Sequence, residues 1–262
     1  MLKKFKNNIK ILFIYLIIII SCNNSVAEET VSLIKNKWSF EGIFGTFDRA
    51  SLRRGYQVYN EVCSTCHSMN LLSYRNLSEK GGPEFSLEST KKIAASFEVI
   101  DGPNSEGEMF TRPGRLSDKF IQPYANVQAA KSANGGAYPP DMSVLVKARG
   151  GGANYIYSIL LGYEDPPEGS NLDEGVYYNK YMPVNNIKIP NVLSDGLLDY
   201  EDGTEATVQQ MAKDVSTFLT WVSEPTLEAR HKIGFKVILY LIILALLVYL
   251  SMKKIWLRVE SE

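Results

Sequence analysis

Two long apolar runs bracket this chain, and between them apolar positions recur with the period of helices. The first run, residues 11–20, follows a basic start (Lys3, Lys4, Lys6, Lys10) and gives way to the small residues Ser25 and Ala27. That pattern predicts a secretory signal peptide over 1–27, cut after Ala27, since the run is short for a span of about 20 residues. An uncleaved anchor and lipid attachment at Cys22 are the alternatives. The second run, residues 233–252, is interrupted only by Lys236 near its start, where a long stem can snorkel to the interface. Its length suits one membrane-spanning helix. Lys253, Lys254 and Arg258 follow it and predict a cytoplasmic tail over 253–262. Residues 28–232 then form an exported domain in the periplasm of a bacterium, held to the inner membrane by a single pass.

Within that domain the periodicity predicts a mainly α fold. Leu52, Tyr56 and Tyr59 share one face of a helix that ends just before Cys63. Val208, Met211, Ala212, Val215, Phe218, Leu219 and Val222 make one apolar stripe on a helix over 205–223. Asp202 and Thr204 are its expected caps, and Pro225 ends it. Shorter helices are expected near 90–97 and 153–161. Elsewhere Gly and Pro punctuate densely, as in "KGGPEF", "NGGAYPPD", "ARGGGAN" and "EDPPEG", which read as turns and loops. Alternating strand patterns are scarce.

Composition changes this picture little. At 262 residues, 45% hydrophobic and 22% charged, the chain is ordinary for a globular protein, and a net charge of −1 gives no reason to invoke nucleic acid. Charge is uneven, however. Residues 28–232 carry 20 basic and 27 acidic side chains, a net charge of −7. The acids concentrate in "YEDPPEGSNLDEG" (163–175) and "SDGLLDYEDGTE" (194–205), which hold no base. Such runs serve either as a solvated surface or as a docking face for a basic partner.

The candidate chemistry lies in "EVCSTCHSMN" (61–70). Paired cysteines in an oxidising compartment allow a structural disulfide, a redox dithiol or haem attachment. Zinc lacks ligands: with Cys22 removed the chain offers two Cys and two His, and His231 stands at the membrane entrance. A thioredoxin-type dithiol needs a strand before the cysteines, and a helix precedes them instead. Cys-x-x-Cys-His is the signature of a c-type haem, with Cys63 and Cys66 adding to the vinyl groups and His67 binding iron.

Beyond that motif, the segments "WSFEGIFGTFDRASLRRGYQVYNEVCSTCHSMN", "DGPNSEGEMFTRPGRLSDKFIQPYAN", "NGGAYPPDMS", "KARGGGANYIYSILLGY" and "SDGLLDYEDGTEATVQQMAKDVSTFLTWVSEP" resemble the cytochrome c1 family in order and spacing. The resemblance runs from Trp38 to Arg258. It implies a cytochrome-c-like haem domain with long loops, one covalent haem c, and a place in a ubiquinol–cytochrome c oxidoreductase (bc1) complex. The implied function is one-electron relay from a Rieske iron–sulfur protein to a c-type cytochrome, with no substrate chemistry of the chain's own. The implied neighbours are a cytochrome b subunit and a second copy of the complex. Pro139, Pro140, Arg149 and Tyr155 match segments that line the family's haem crevice, with Arg149 near a propionate. A self-standing membrane-anchored cytochrome c serving an oxidase is the alternative reading; a thiol–disulfide oxidoreductase is a third.

One position departs from the pattern. The family's sixth iron ligand is a methionine shortly before the "SDG" stretch, and here "YYNKYMPVNNIKIPNVLSDG" places Ile189 at that point. Isoleucine cannot ligate iron. Met182, seven residues earlier in the same loop, is the candidate replacement, against ordinary packing for Met182, a vacant or water-bound site, or Lys188 as ligand.

Overall fold

A computed structural model describes residues 32–259; the expected signal peptide (1–27) and Cys22 lie outside the described residues. Six α-helices, three short 3₁₀ turns and two small hairpins occur among the described residues. Two helices form the centre. Helix α1 (Arg49–Glu61) starts where Asp48, in extended conformation, accepts a hydrogen bond from the Ala50 N–H at 3.0 Å. It buries Leu52, Tyr56 and Tyr59 as the spacing predicts, together with Gly55 and Val58.

The other central helix begins at residue 208 rather than 205. Asp202 and Thr204 are not its caps. The Asp202 carboxylate instead accepts from the Thr204 N–H at 3.0 Å and from Arg54, closing a turn through Gly203, which has a φ of +75°. The cap is Thr207, whose Oγ1 accepts from the Gln210 N–H at 3.1 Å. Asp195, from the preceding loop, accepts from the Val208 N–H at 2.7 Å.

That second central helix is α5 (Val208–Ser223), and the remaining helices are α2 (Leu87–Ala95), α3 (Val127–Ala133), α4 (Ala153–Leu161) and α6 (Leu227–Val259). Helix α2 starts three residues before the expected 90, because Ser86 caps it through the Ser89 N–H at 3.0 Å. Helix α4 matches the expected bounds. Helix α3, capped by Asn126, was not foreseen from the periodicity. Strands β1 (Glu98–Asp101) and β2 (Phe110–Pro113) pair antiparallel, with Glu98 opposite Pro113. Strands β3 (Tyr177–Tyr178) and β4 (Asn186–Ile187) form a second short ladder.

Helix α5 runs through the middle, with α1 and α4 packed on it. Its apolar stripe is buried, except that Val208 is half-buried at the first turn. Asp214, Ser216, Thr217 and Thr220 are buried too, so its polar side is also covered. An aromatic cluster fills the space around it: Tyr56, Tyr59, Tyr74, Phe120, Phe218 and Trp221 meet with ring centroids 4.8–6.3 Å apart. Helix α6 extends the predicted apolar segment by one and a half turns at its start. Leu227 is buried there and Glu228 forms a bidentate pair with Arg49 at 2.8 and 2.9 Å. From Ile233 to Leu257 its large apolar side chains stand exposed, and the helix is long and apolar enough to cross a membrane.

Candidate functional site

The Cys-x-x-Cys-His segment follows directly from the end of α1. After Val62 the chain tightens into a 3₁₀ turn (Cys63–Thr65), and the Cys63 carbonyl accepts from the N–H groups of Cys66 and His67 at 3.2 and 2.9 Å. The two thiols are unbridged. Burial, and then the neighbouring Cys66, push the Cys63 thiol up to about 12.

His67 is buried, and its Nδ1 lies 2.9 Å from the Pro140 carbonyl oxygen. A carbonyl only accepts, so Nδ1 carries the proton and Nε2 keeps a free lone pair. Burial is the largest influence on this ring and holds its pKa below the ordinary histidine value, against the opposing pull of the Pro140 carbonyl and Asp141. The imidazole is therefore neutral, in the tautomer that ligates a metal through Nε2.

A residue that sequence reasoning missed fixes this geometry. Asp141 accepts from the Ser68 hydroxyl and the Asn70 N–H at 2.8 Å each, and from the Ser143 N–H at 2.8 Å. Burial opposes its charge, but these hydrogen bonds, Ser143 foremost, hold its pKa below the usual carboxylate range. The Met142 N–H donates to the Ser68 carbonyl at 2.9 Å, and the Tyr59 hydroxyl to the His67 carbonyl at 3.2 Å. The Pro139-Pro140 segment is thus locked against the histidine. The only signal in the sequence was an Asp directly after two prolines.

Pro139 and Pro140 are half-buried, and Pro139 borders a cavity of about 100 Å³ beside Cys66, walled also by Gln122, Pro123 and Tyr138. A larger space of about 280 Å³ lies between Trp38, Val146 and Asn154, and neither Cys nor His lines it. Tyr155, on α4, donates its hydroxyl to the Met182 sulfur at 3.4 Å. The fold therefore brings together two candidate site residues 27 apart along the chain. Arg149 is exposed, and its Nη1 donates to the Ala148 carbonyl at 3.1 Å.

Ile189 is 36% exposed, and its carbonyl accepts from the Tyr163 hydroxyl at 2.9 Å. Lys188 reaches the Gly135 carbonyl at 3.3 Å, tying this loop to the segment that carries the prolines. Met69, Met142 and Met211 are buried in the core, while Met109 is 61% exposed.

The donor set fits a c-type haem: two unbridged thiols and a neutral histidine on one turn, with Nε2 free. Residues 38–259 match the model of the family described as the Cytochrome C1 family. The chain belongs to the cytochrome c1 family. Among curated relatives, it is 53% identical to "Cytochrome c1-1, heme protein, mitochondrial" of Solanum tuberosum over 221 residues, 84% of this chain and 68% of that one. It is 46% identical to "Cytochrome c1" of Rhodospirillum rubrum over 245 residues, 87% of this chain and 89% of that one. It is 48% identical to "Cytochrome b/c1" of Bradyrhizobium diazoefficiens over 240 residues, 84% of this chain and 35% of that one. Cytochrome c1 proteins carry haem as a subunit of the bc1 complex, so membership implies electron transfer. The mainly α fold and the long apolar C-terminal helix agree with that assignment.

Proposed function

We propose that the chain is the one-electron carrier of a quinol–cytochrome c oxidoreductase, with Cys63 and Cys66 holding a haem by thioether bonds and His67 as its proximal ligand. The observation that carries this is the His67 Nδ1–H bond to the Pro140 carbonyl, 2.9 Å long, which leaves Nε2 available to a metal on the same turn as two unbridged thiols. When bound, the haem supplies an iron centre that changes charge by one electron. The chain's residues do the rest. Pro140 holds the imidazole tautomer and raises its basicity. Pro139, Pro140 and Tyr155 wall the crevice against water, and the exposed Arg149 guanidinium is available to a propionate.

Met182 is the residue we assign as the thioether that would ligate the haem iron in addition to His67. Its sulfur is already held at 3.4 Å by the Tyr155 hydroxyl, whereas Ile189 offers no donor. A soft thioether favours ferrous iron and raises the potential. Electrons arrive from a Rieske iron–sulfur protein and leave to a c-type cytochrome. Asp165, Glu168, Asp173, Glu174 and Glu201, all exposed, form the docking field for a basic acceptor. Helix α6 anchors the domain beside a cytochrome b subunit in a dimeric complex, with the haem domain in the periplasm and the tail of Lys253 and Lys254 in the cytoplasm.

The test is a covalent-haem stain on a denaturing gel followed by optical spectroscopy. Wild type should stain, and Cys63→Ala/Cys66→Ala should not; an unstained wild type sinks the assignment. The ferrous haem should be low-spin and refuse carbon monoxide, and Met182→Leu should make it high-spin and carbon-monoxide-binding. A wild-type haem that already binds carbon monoxide removes Met182 as ligand while leaving the thioether and His67 roles standing.

A further inference from the structure

We propose that the loop over residues 41–46 is a second membrane contact, with Ile43 and Phe44 seated in the lipid interface beside the start of the apolar part of α6. This rests on reading α6 as a membrane anchor. Ile43 is 69% and Phe44 79% exposed, at the tip of a loop whose base is firmly held. Trp38, Phe40 and Phe47 are buried at that base, with Phe40 stacked on Trp38 at 5.5 Å and tilted against Phe47 at 5.1 Å. The Thr46 N–H donates to the Ser39 carbonyl at 3.0 Å and the Gly45 N–H to the Gly42 carbonyl at 3.2 Å. Two glycines permit the turn: Gly42 has a φ of +80°, and a Cβ on Gly45 would stand 2.3 Å from the Glu41 carbonyl oxygen. The chain thus builds a tight loop whose only large side chains at the tip are apolar and point away from the core.

The loop is aimed by α6. Glu228 accepts from the Phe47 N–H at 2.9 Å and pairs with Arg49, while Phe44 meets Phe235 at a ring-centroid distance of 6.0 Å. Glu228 and Phe235 are seven residues apart, two turns along one face of the helix. The apolar stretch over 233–252 is about 30 Å long at about 1.5 Å per residue, the thickness of a hydrocarbon core, so the lipid boundary falls at its first turn. Phe235 and the Phe44 packed on it stand at that boundary. Lys232 and Lys236 flank Phe235 in sequence, where their ammonium groups suit headgroup phosphates.

The occupant is lipid because the tip is continuous with a helix whose apolar side chains, Phe235 at 51% and Ile238 at 60% among them, are exposed from the same level onward. A single exposed apolar side chain needs no explanation. Here two adjacent ones are presented by a braced loop at the level where water ends.

The experiment uses the full-length holo chain in phosphatidylcholine vesicles, with a nitroxide label on Phe44→Cys. Reference labels sit on Val184→Cys, in the haem domain at 88% exposure, and on Ile242→Cys, inside the apolar stretch. The haem spectrum confirms folding of each variant, and wild type carried through labelling gives the background. Power-saturation EPR compares collision with oxygen, which concentrates in lipid, and with a water-soluble nickel chelate. The oxygen-to-nickel ratio at 44 should be several-fold above that at 184 and approach that at 242. A ratio at 44 equal to that at 184 overturns the proposal, as does shielding from both reagents, which would mean that protein covers the tip. Nickel access at 242 would overturn the anchor reading and this one together; nickel access at 44 alone overturns only the loop contact.

Discussion

Asp214 has no exposed side-chain surface, and it sits in the middle of α5 facing α1. Three side chains satisfy it: the Ser51 hydroxyl at 2.6 Å, the Arg54 Nε at 2.8 Å and the Gln210 amide at 2.9 Å. Arg54 is itself mostly buried. Burial works against its charge, but Asp214 and then Asp202 outweigh that and hold its pKa above the ordinary value. Removing one member of a buried pair leaves the other uncompensated, so Asp214→Ala should destabilise the domain by about 3–5 kcal/mol in urea unfolding. Replacing both at once, as Arg54→Met with Asp214→Leu, should cost clearly less. The pair was invisible in the sequence, where Asp214 reads as an ordinary polar position between stripe residues. At the other extreme, Val184 is 88% exposed and has a φ of +58°, a region that suits glycine and strains a β-branched residue. Val184→Gly should raise stability by about 1 kcal/mol by releasing that strain, visible as a higher urea midpoint at an unchanged slope.

The contact between α1 and α5 depends on Gly55. A Cβ there would lie 2.1 Å from the Asp214 carbonyl oxygen and 2.6 Å from the Phe218 Cβ. Glycine inside a helix ordinarily costs about 1 kcal/mol relative to alanine. Gly55→Ala should nevertheless destabilise, by about 1–3 kcal/mol, because backbone rather than a movable side chain blocks the space. A gain in melting temperature would show that the helices are not packed this closely. Periodicity located α1 and α5 because each carries an apolar stripe over several turns. It misplaced the start of α5 because Asp202 and Thr204 resemble a cap, and only the fold engages Asp202 with Arg54. Helix α3 and the two hairpins are too short for a period to show: β3 and β4 have two residues each.

Across the whole molecule, acidity should be the solvent condition that most directly weakens the haem domain. The Thr204 N–H, then its hydroxyl, then Arg54 hold Asp202 down to about 2. Arg112 is the main cause that holds Asp118 low, with the Arg115 N–H assisting against burial. A folded-state pKa below the unfolded value of about 3.9 means the unfolded chain binds protons more readily. The stabilisation is therefore complete above about pH 4 and is lost as pH falls through the folded values. The urea midpoint should drop between about pH 4 and pH 2, and Asp202→Asn should flatten that slope. Charge also acts at long range: with 27 acidic against 20 basic side chains over residues 28–232, reduction of a basic acceptor cytochrome should slow as salt is raised from low ionic strength. A salt-independent second-order rate in stopped flow would count against the acidic segments as a docking field.

By itself, the sequence determined what local pattern can encode. Cys63, Cys66 and His67 are neighbours along the chain, the helical stripes repeat every few residues, and the apolar run of α6 needs no partner to be recognised. Tertiary structure alone decided which atoms meet. The His67 tautomer depends on a carbonyl 73 residues away, the Met182 sulfur on a hydroxyl 27 residues away, and the bracing of the histidine segment on Asp141. Hydrogen bonds of that kind have no period and no spacing rule, because loops of arbitrary length bring their partners together.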